Sequence, residues 1–153
     1  MQPWYISGFT DGEGTFHVAL QQSPENRFGW RLIPEFHISQ GCSRAPILKR
    51  IQKALGGVGY CKANHPGSSR DTTQVFVVRN RKELLNNIIP FFERYPLQTD
   101  KQKDFRIFAQ IVRLMDKNVH TTKHGFRRVV TMALTMNQGG KYRKLTKKDI
   151  FVR

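Results

Sequence analysis

Two stretches of this chain alternate strictly between apolar and polar side chains. Residues 15–22 (TFHVALQQ) and 31–40 (RLIPEFHISQ) place apolar residues at every second position, and the polar segment 23–29 lies between them. A period of two with one apolar face is typical of half-buried antiparallel strands, and the short polar connection predicts a hairpin. The apolar face of this hairpin has to be covered by a second layer, for which the rest of the chain must supply helices.

The remaining segments predict that helical layer and a second strand pair. Further strands are expected at 58–64 and 72–79. Helices are expected at 3–9, 45–55, 81–95, 99–115 and 125–136. Ser43 is a candidate N-cap, Asn80 with Glu83 resembles a capping box, and Pro90 should kink or divide its helix. The sequence therefore predicts one α+β domain over residues 1–153, with a four-stranded antiparallel sheet, helices on one face, and an extended basic tail from about residue 137.

The charge of the chain favours a polyanionic partner. Lys and Arg number 26 against 11 Asp and Glu among 153 residues, which gives a formal net charge of +15. Nucleic acid and an anionic membrane surface both fit such an excess. Membrane association is disfavoured because no apolar run approaches the roughly 20 residues that span a bilayer and no basic amphipathic helix is evident. Cys42 and Cys61 lack zinc-site spacing, so reduced thiols are expected.

The segment FTDGEG (9–14) places Asp11 and Glu13 among glycines immediately before the first predicted strand. One reading is a simple acidic turn. The other is a site for a hard cation such as Mg²⁺, formed by a carboxylate and a backbone carbonyl. A carboxylate aimed at a phosphate-binding face would repel DNA unless a cation lay between them. The glycines would also permit a second backbone to approach closely.

The polar face of the predicted sheet is the candidate binding surface. Its side chains suit either bulk water or the floor of a nucleic-acid groove. They are His17, Gln21, Arg31, Glu35, His37, Lys62 and Asn64.

The segment ISGFTDGEG (6–14) resembles the signature of the LAGLIDADG homing endonucleases, with Gly8, Asp11 and Gly14 matching outright. Three further segments are similar to the family: FHISQGCSR (36–44), PFFERYPLQTDKQKDF (90–105) and LTMNQGG (134–140). The resemblance covers most of the chain and implies a saddle-shaped sheet. It also implies a group I intron-encoded, Mg²⁺-dependent nuclease, with Mn²⁺ as a substitute, that cuts both DNA strands and leaves short 3′ overhangs.

The resemblance also implies roles for single residues. Glu13 corresponds to the metal-binding carboxylate, and Gly12 to the carbonyl ligand. Gln40 is similar to the residue that positions the attacking water, while Lys101 and Arg44 resemble residues that stabilise charge at the phosphate. Because only one signature is present, the implied enzyme is a homodimer. Its interface would contain Gly8, Gly12 and Asp11, with Asp11 capping backbone groups across the interface.

The resemblance implies that the open sheet face and the tail contact DNA. Arg and Gln can read purine edges in the major groove, whereas Lys and Arg of the tail would contact phosphates. The implied contact residues are His17, Ala19, Gln21, Ser23, Arg31, Ile33, Glu35, His37, Lys62, Asn64, Arg70, Lys141, Arg143 and Lys144.

Two other functions are compatible with the same residues. One is an RNA maturase that assists intron splicing, with RNA as its partner. The other is a DNA-binding repressor whose nuclease site is degenerate. The family resemblance also implies an organellar location, in mitochondria or chloroplasts.

Overall fold

A four-stranded antiparallel sheet organises the computed structural model, which describes residues 1–67, 72–140 and 145–151. Its strands are β1 (Gly14–Gln22), β2 (Trp30–Gly41), β3 (Tyr60–Ala63) and β4 (Thr73–Val78). They lie in the order β1-β2-β4-β3, and every neighbouring pair is antiparallel. The predicted fold class, an α+β fold with helices on one face of such a sheet, is confirmed.

The register of β1 against β2 confirms the two faces predicted from the alternation. Phe16 lies opposite Phe36, and Leu20 lies opposite Leu32, all on the helix-covered face. Pro34 is tolerated in β2 because β4 pairs with β2 only from residue 36 onward, so the missing N–H leaves no partner unsatisfied on that edge.

The helices cover the apolar face of the sheet. One helical segment after β4 includes a π-helical turn, Leu84–Ile88. Aromatic rings fill the space between the layers: the Phe16 ring is 4.9 Å from the Phe36 ring and 5.2 Å from the Phe105 ring. The helices are α1 (Pro3–Glu13), α2 (Pro46–Ala54), α3 (Arg81–Glu83), α4 (Ile89–Arg94), α5 (Lys101–Asp116), α6 (Lys123–Gly140) and α7 (Lys147–Phe151). None of the helices in the described ranges is both long and apolar enough to cross a bilayer.

Helix caps agree with the sequence at one position and differ at another. The side chain of Asn80 accepts hydrogen bonds from the backbone N–H groups of Lys82 and Glu83, as predicted. The Glu83 carboxylate instead accepts from the N–H of Gly59. Ser43 is not an N-cap: it lies inside a 3₁₀ turn, and α2 begins at Pro46, which has no N–H to satisfy.

The two ends of the described chain are more helical than the sequence predicts. Helix α1 continues to Glu13 instead of ending at residue 9, although a helical glycine costs about 1 kcal/mol relative to alanine. Burial of the Ile6 side chain, on the inner side of α1, offsets that cost. Near the C-terminus, α7 replaces part of the expected extended tail, because Ile150 is buried and the Asp149 carboxylate accepts hydrogen bonds from Thr146.

Candidate active site and nucleic-acid interface

A cavity of about 430 Å³ lies at the C-terminal end of α1. It contains three of the four predicted catalytic residues, Glu13, Gln40 and Arg44, which come from α1, the end of β2 and the turn that follows. The complete lining is Tyr5, Gly8, Phe9, Gly12, Glu13, Gln40, Arg44 and Ile47. Gln40 is only 8% exposed, so its amide is held in place, whereas Glu13 and Arg44 are exposed.

The last turn of α1 has the electrostatics of a cation site. The final carbonyls of a helix have no partner within the helix, and they carry the negative end of the helix dipole. The ammonium group of Lys101 donates to the carbonyl oxygens of Thr10 and Asp11, each at 2.8 Å. The next carbonyl along the chain is that of Gly12, beside the Glu13 carboxylate. Oxygen donors of this kind suit a hard divalent cation.

Lys101 lies behind the last turn of α1 and does not line the cavity. Burial lowers the pKa of its ammonium group, while the negative charges of Asp11, Glu13 and Asp104 act in the opposite direction. The positive charge of Lys101 therefore lies near enough to the end of α1 to interact with the Glu13 carboxylate. The structure brings this fourth predicted catalytic residue to the same helix terminus, but on the other side of the backbone.

Asp11 caps backbone groups of its own chain. Its carboxylate accepts hydrogen bonds from the N–H of Gln98 at 2.8 Å, and from the N–H and hydroxyl of Thr99 at 3.3 and 2.6 Å. The family resemblance implies a cap across a subunit interface, and the contacts of Asp11 within the described chain are intramolecular. Asp11 thereby fixes the end of α1 to the loop before α5. Since α1 is helical here, Asp11 and Glu13 point to different sides, and the acidic turn is excluded.

One flank of α1 is uncovered by the rest of the described chain. A Cβ atom added at Gly8 or at Gly12 would meet no atom within 4 Å. Trp4 and Tyr5, one turn earlier, are 55% and 50% exposed. Gly14 differs, because its added Cβ would lie 2.5 Å from the Thr10 side chain. Gly14 is therefore required by the helix-to-strand junction, while Gly8 and Gly12 leave room for a partner.

The open face of the sheet holds most of the predicted DNA-contacting residues. The exposed ones are Gln21, Arg31, Lys62 and Asn64. The half-buried ones are His17, Ala19, Ile33 and His37. Ser23 and Glu35 differ from the prediction because they are 5% and 4% exposed. The Ser23 hydroxyl hydrogen-bonds to Glu25 and Asn26, which close the hairpin loop. The other predicted contacts lie outside the described residues: Arg70, Lys141, Arg143 and Lys144.

The sequence interpretation missed two residues on this face. Arg79, just after β4, forms an ion pair with Glu35. Tyr60 lies opposite Val77, next to the open face, and is 42% exposed. Period-two counting from Val75 and Val77 would have identified Arg79, but the continuous apolar run in β4 hides which face each residue takes.

Glu35 is the centre of a charged cluster on the open face. Its Oε2 atom lies 2.9 Å from Nε2 of His17 and 3.0 Å from Nε2 of His37, and Arg79 contacts Oε1. Burial alone would raise the pKa of Glu35, but the two neighbouring imidazoles outweigh it and hold this pKa far below its usual range. The Glu35 side chain is thus an internal counter-ion and not a contact for a base.

This cluster predicts a pH-dependent loss of stability in Glu35→Gln. At pH 7 the variant should be less stable by about 1–3 kcal/mol, because buried donors lose a charged acceptor. A carboxyl whose pKa is lowered by folding stabilises the protein above its unfolded-state pKa, and this contribution falls as the pH drops towards the folded-state pKa. Urea unfolding at pH 7 and near pH 3 should therefore show a difference from the wild type that shrinks in acid. Equal stabilities at pH 7 would contradict the cluster's role, and Glu93→Gln, in an exposed ion pair, is the matched control.

Comparison with known proteins places this site in a family. The profile described as LAGLIDADG endonuclease matches residues 6–112, a range that includes most of α1, the whole sheet and most of α5. The chain belongs to the LAGLIDADG endonuclease family. The match includes all four predicted catalytic residues of the chain, Glu13, Gln40, Arg44 and Lys101.

Relatives and solved structures agree with the family assignment. "Probable intron-encoded endonuclease 2" of Neurospora crassa is 35% identical over 91% of the chain. The chain spans 25–30% of the length of the curated Neurospora relatives that it matches. The crystal structure of the homing endonuclease I-TnaI aligns with a TM-score of 0.81 and 32% identity, covering 90% of this chain and 88% of that one. The LAGLIDADG homing endonuclease I-SmaMI, bound to cleaved DNA, aligns with a TM-score of 0.85 and 26% identity, covering 97% of this chain and 46% of that one.

Proposed function

We propose that the protein is a site-specific endonuclease that cuts both strands of a long, near-palindromic DNA duplex, leaves short 3′ overhangs and promotes intron homing. The observation that carries this proposal is the shared cavity of Glu13 and Gln40 at the C-terminal end of α1. Membership in the family and the crystal structure of I-SmaMI bound to cleaved DNA support the class of reaction. The Neurospora relative is a probable intron-encoded endonuclease, which supports homing. A mitochondrial protein of Saccharomyces cerevisiae, 31% identical over 63% of the chain, supports an organellar location.

A divalent ion fits the end of α1, and we assign the Glu13 carboxylate and the Gly12 carbonyl as its protein ligands. These are hard oxygen donors at the negative end of a helix, which favours Mg²⁺, with Mn²⁺ as a substitute. When bound, the ion would supply a more acidic attacking water and neutralise charge on the leaving oxygen. The structure of I-SmaMI bound to its uncleaved DNA target was solved in the presence of calcium ions, and calcium is a hard divalent cation, which supports a hard-cation site here.

The other cavity residues have distinct roles in this proposal. Gln40, nearly buried, orients the attacking water through its fixed amide. Arg44, exposed at the rim, neutralises charge on the scissile phosphate. Lys101 acts from behind the helix end: by binding the carbonyls of Thr10 and Asp11 it fixes the last turn of α1 and adds positive potential near Glu13.

The active form is proposed to be a homodimer that pairs through the uncovered flank of α1. Gly8 and Gly12 would let two such helices approach closely, and exposed Trp4 and Tyr5 would be covered in the process. The chain matches about half of the I-SmaMI chain, so two copies of this domain correspond to that length. A twofold axis at α1 brings two Glu13 side chains together, one for each DNA strand, and accounts for a near-palindromic target.

The open sheet face is proposed to lie in the major groove of the target. Exposed Arg31 and Gln21 lie opposite each other in β1 and β2, where they could read purine edges, and Lys62 adds positive charge from β3. With a net charge of +15 per chain, much of the affinity should come from phosphate contacts and weaken steeply with salt.

The decisive experiment is the selection of cleaved sites from a randomised palindromic duplex library in Mg²⁺. Recovery of one pseudo-palindromic site, cut on both strands in Mg²⁺ but not in a chelator, is the expected result. A DNA site that the protein binds but does not cut would identify a DNA-binding repressor. A protein that cuts no duplex but accelerates splicing of its intron RNA would be a maturase. Either outcome would overturn the proposal that the protein is a nuclease.

Lys101→Met provides a sharper test of the proposed site. We expect cleavage to slow by about a hundredfold, since removing one preorganised charge at a reaction centre typically costs that much, while affinity for the target changes little. Single-turnover cleavage and filter binding would measure the two effects. Lys103→Met is the matched control. Lys103 lies two residues after Lys101 in α5, its side chain is 77% exposed, and it forms an ion pair with Asp100. Cleavage by Lys101→Met at the wild-type rate would remove this residue from the site.

A further inference from the structure

Three metal-ligating side chains converge on the open face of the sheet, outside the cavity at Glu13. They are His17 of β1 and Glu35 and His37 of β2. One ligand atom from each lies within 4.8 Å of the others, and both imidazole Nε2 atoms face the same carboxylate oxygen at 2.9 and 3.0 Å. The catalytic site proposed at Glu13 does not include any of these three residues.

Strand pairing is what creates the cluster. His17 lies directly opposite Glu35, and His37 is two residues along the same strand, so all three project from one face. No spacing rule shows this, because the histidines are 20 residues apart in sequence. The absence of zinc spacing at Cys42 and Cys61 therefore says nothing about donors that a sheet assembles.

The local geometry leaves one ring nitrogen that faces Glu35 without a hydrogen bond. Among the described residues, Nε2 of His37, which faces Glu35, is buried without a hydrogen-bond partner. Nδ1 of His17 is also unpartnered, but it is the nitrogen of that ring that does not face Glu35. Nε2 of His37 is therefore within 3.0 Å of Glu35 but is not in hydrogen-bond geometry with it. Two imidazole nitrogens aimed at one carboxylate oxygen define a point between the three groups.

The two distances from the imidazole nitrogens to Glu35 are close to those around a small tetrahedral ion. Bonds of about 2.0–2.2 Å from zinc to nitrogen and oxygen place neighbouring ligands roughly 3.3 Å apart, a few tenths of an ångström beyond the 2.9 and 3.0 Å separations found here. Imidazole nitrogen favours Zn²⁺ and related transition ions over Mg²⁺, which prefers oxygen. Arg79 stays on the other oxygen of Glu35 and would orient this carboxylate, as outer partners of metal ligands do.

We infer that His17, Glu35 and His37 form a binding site for one transition-metal dication of the zinc type, with a fourth position open to solvent. This site is separate from the hard-cation site at Glu13. It does not depend on the nuclease activity, so either assignment can fail without the other.

Cobalt(II) is the probe for this site because it absorbs visible light when bound in tetrahedral geometry. Untagged full-length protein, freed of metal by a chelator, is titrated with Co²⁺. The expected result is an absorption band that saturates at one ion per chain, disappears on addition of Zn²⁺ and persists in a large excess of Mg²⁺. Failure of the band to appear, or its loss to Mg²⁺, overturns the site.

Variants locate the bound ion. His17→Gln with His37→Gln should weaken Co²⁺ binding by more than about a hundredfold, since loss of even an outer partner typically costs 10–100-fold. His124→Gln, at an exposed position in α6, is the matched control and should bind like the wild type. Undiminished binding in the double variant overturns the assignment.

NMR of the histidine ring nitrogens in the wild-type protein tests the site even if the double variant does not fold. Addition of Zn²⁺ should shift the ring nitrogen signals of His17 and His37 and leave those of the other three histidines in place. Shifts confined to those other histidines would equally overturn the assignment.

Discussion

Glu13→Gln is expected to abolish DNA cleavage while leaving affinity for the target largely intact. The change keeps the size of the side chain and removes the charge that would hold a divalent ion at the end of α1. Lewis-acid stabilisation by such an ion is worth several kcal/mol, so the rate should fall by at least about 10³-fold. Glu13 is exposed and makes no described ion pair, so folding should not suffer. Single-turnover cleavage in Mg²⁺ measures the loss, and titration of labelled duplex in Ca²⁺ measures the affinity.

A matched control separates the site from a general loss of negative charge. Glu93→Gln makes the same chemical change in α4, on the helical side of the sheet, where Glu93 pairs with Arg113 at the surface. It should cleave at the wild-type rate. Cleavage retained by Glu13→Gln would remove this carboxylate from the mechanism, and loss of DNA binding in that variant would show that its main role is in recognition or assembly.

The sheet could be predicted from the sequence because its information is local. Alternation in residues 15–22 and 31–40 identifies both faces, and the register confirms it with Phe16 opposite Phe36 and Leu20 opposite Leu32. The inward face of a half-buried strand can be read from the alternation within the strand itself, without knowing which residues pack against it. The position of Gln40 beside Glu13 was implied by the family resemblance, and the cavity places them together.

The helical ends could not be predicted in the same way, because their stability comes from tertiary contacts. Gly8 and Gly12 argue locally against a helix, yet α1 reaches Glu13, where Lys101 and Thr99 contact its last turn from residues about 90 positions away. Helix α7 depends on burial of Ile150 in the core. The burial of Glu35 could not be predicted for a related reason. Alternation of polar and apolar residues shows which face of the sheet a side chain lies on, but not which neighbouring side chains bury it there.

Gly12→Leu is expected to give a folded monomer that does not cleave DNA. A Cβ atom at this position meets nothing within 4 Å in the chain itself, and leucine favours a helix over glycine by about 0.8 kcal/mol, so the monomer should be at least as stable as the wild type. The same side chain would keep a second α1 from approaching closely across the uncovered flank. Sedimentation velocity should show half the wild-type mass, and double-strand cleavage should be lost.

The value of this substitution is that it leaves the proposed metal ligands in place. Leucine has the same backbone carbonyl as Gly12, and Glu13 is untouched. Because position 12 also lines the cavity, the sedimentation result, and not the loss of cleavage alone, identifies assembly as the cause. Gln110→Leu adds an apolar side chain at an exposed position of α5 and should remain dimeric and active. If Gly12→Leu stayed dimeric and cut both strands, the uncovered flank of α1 would not be the subunit interface. A second Glu13 would then have no route to the opposite strand, and the cutting of two strands would require a different partner surface.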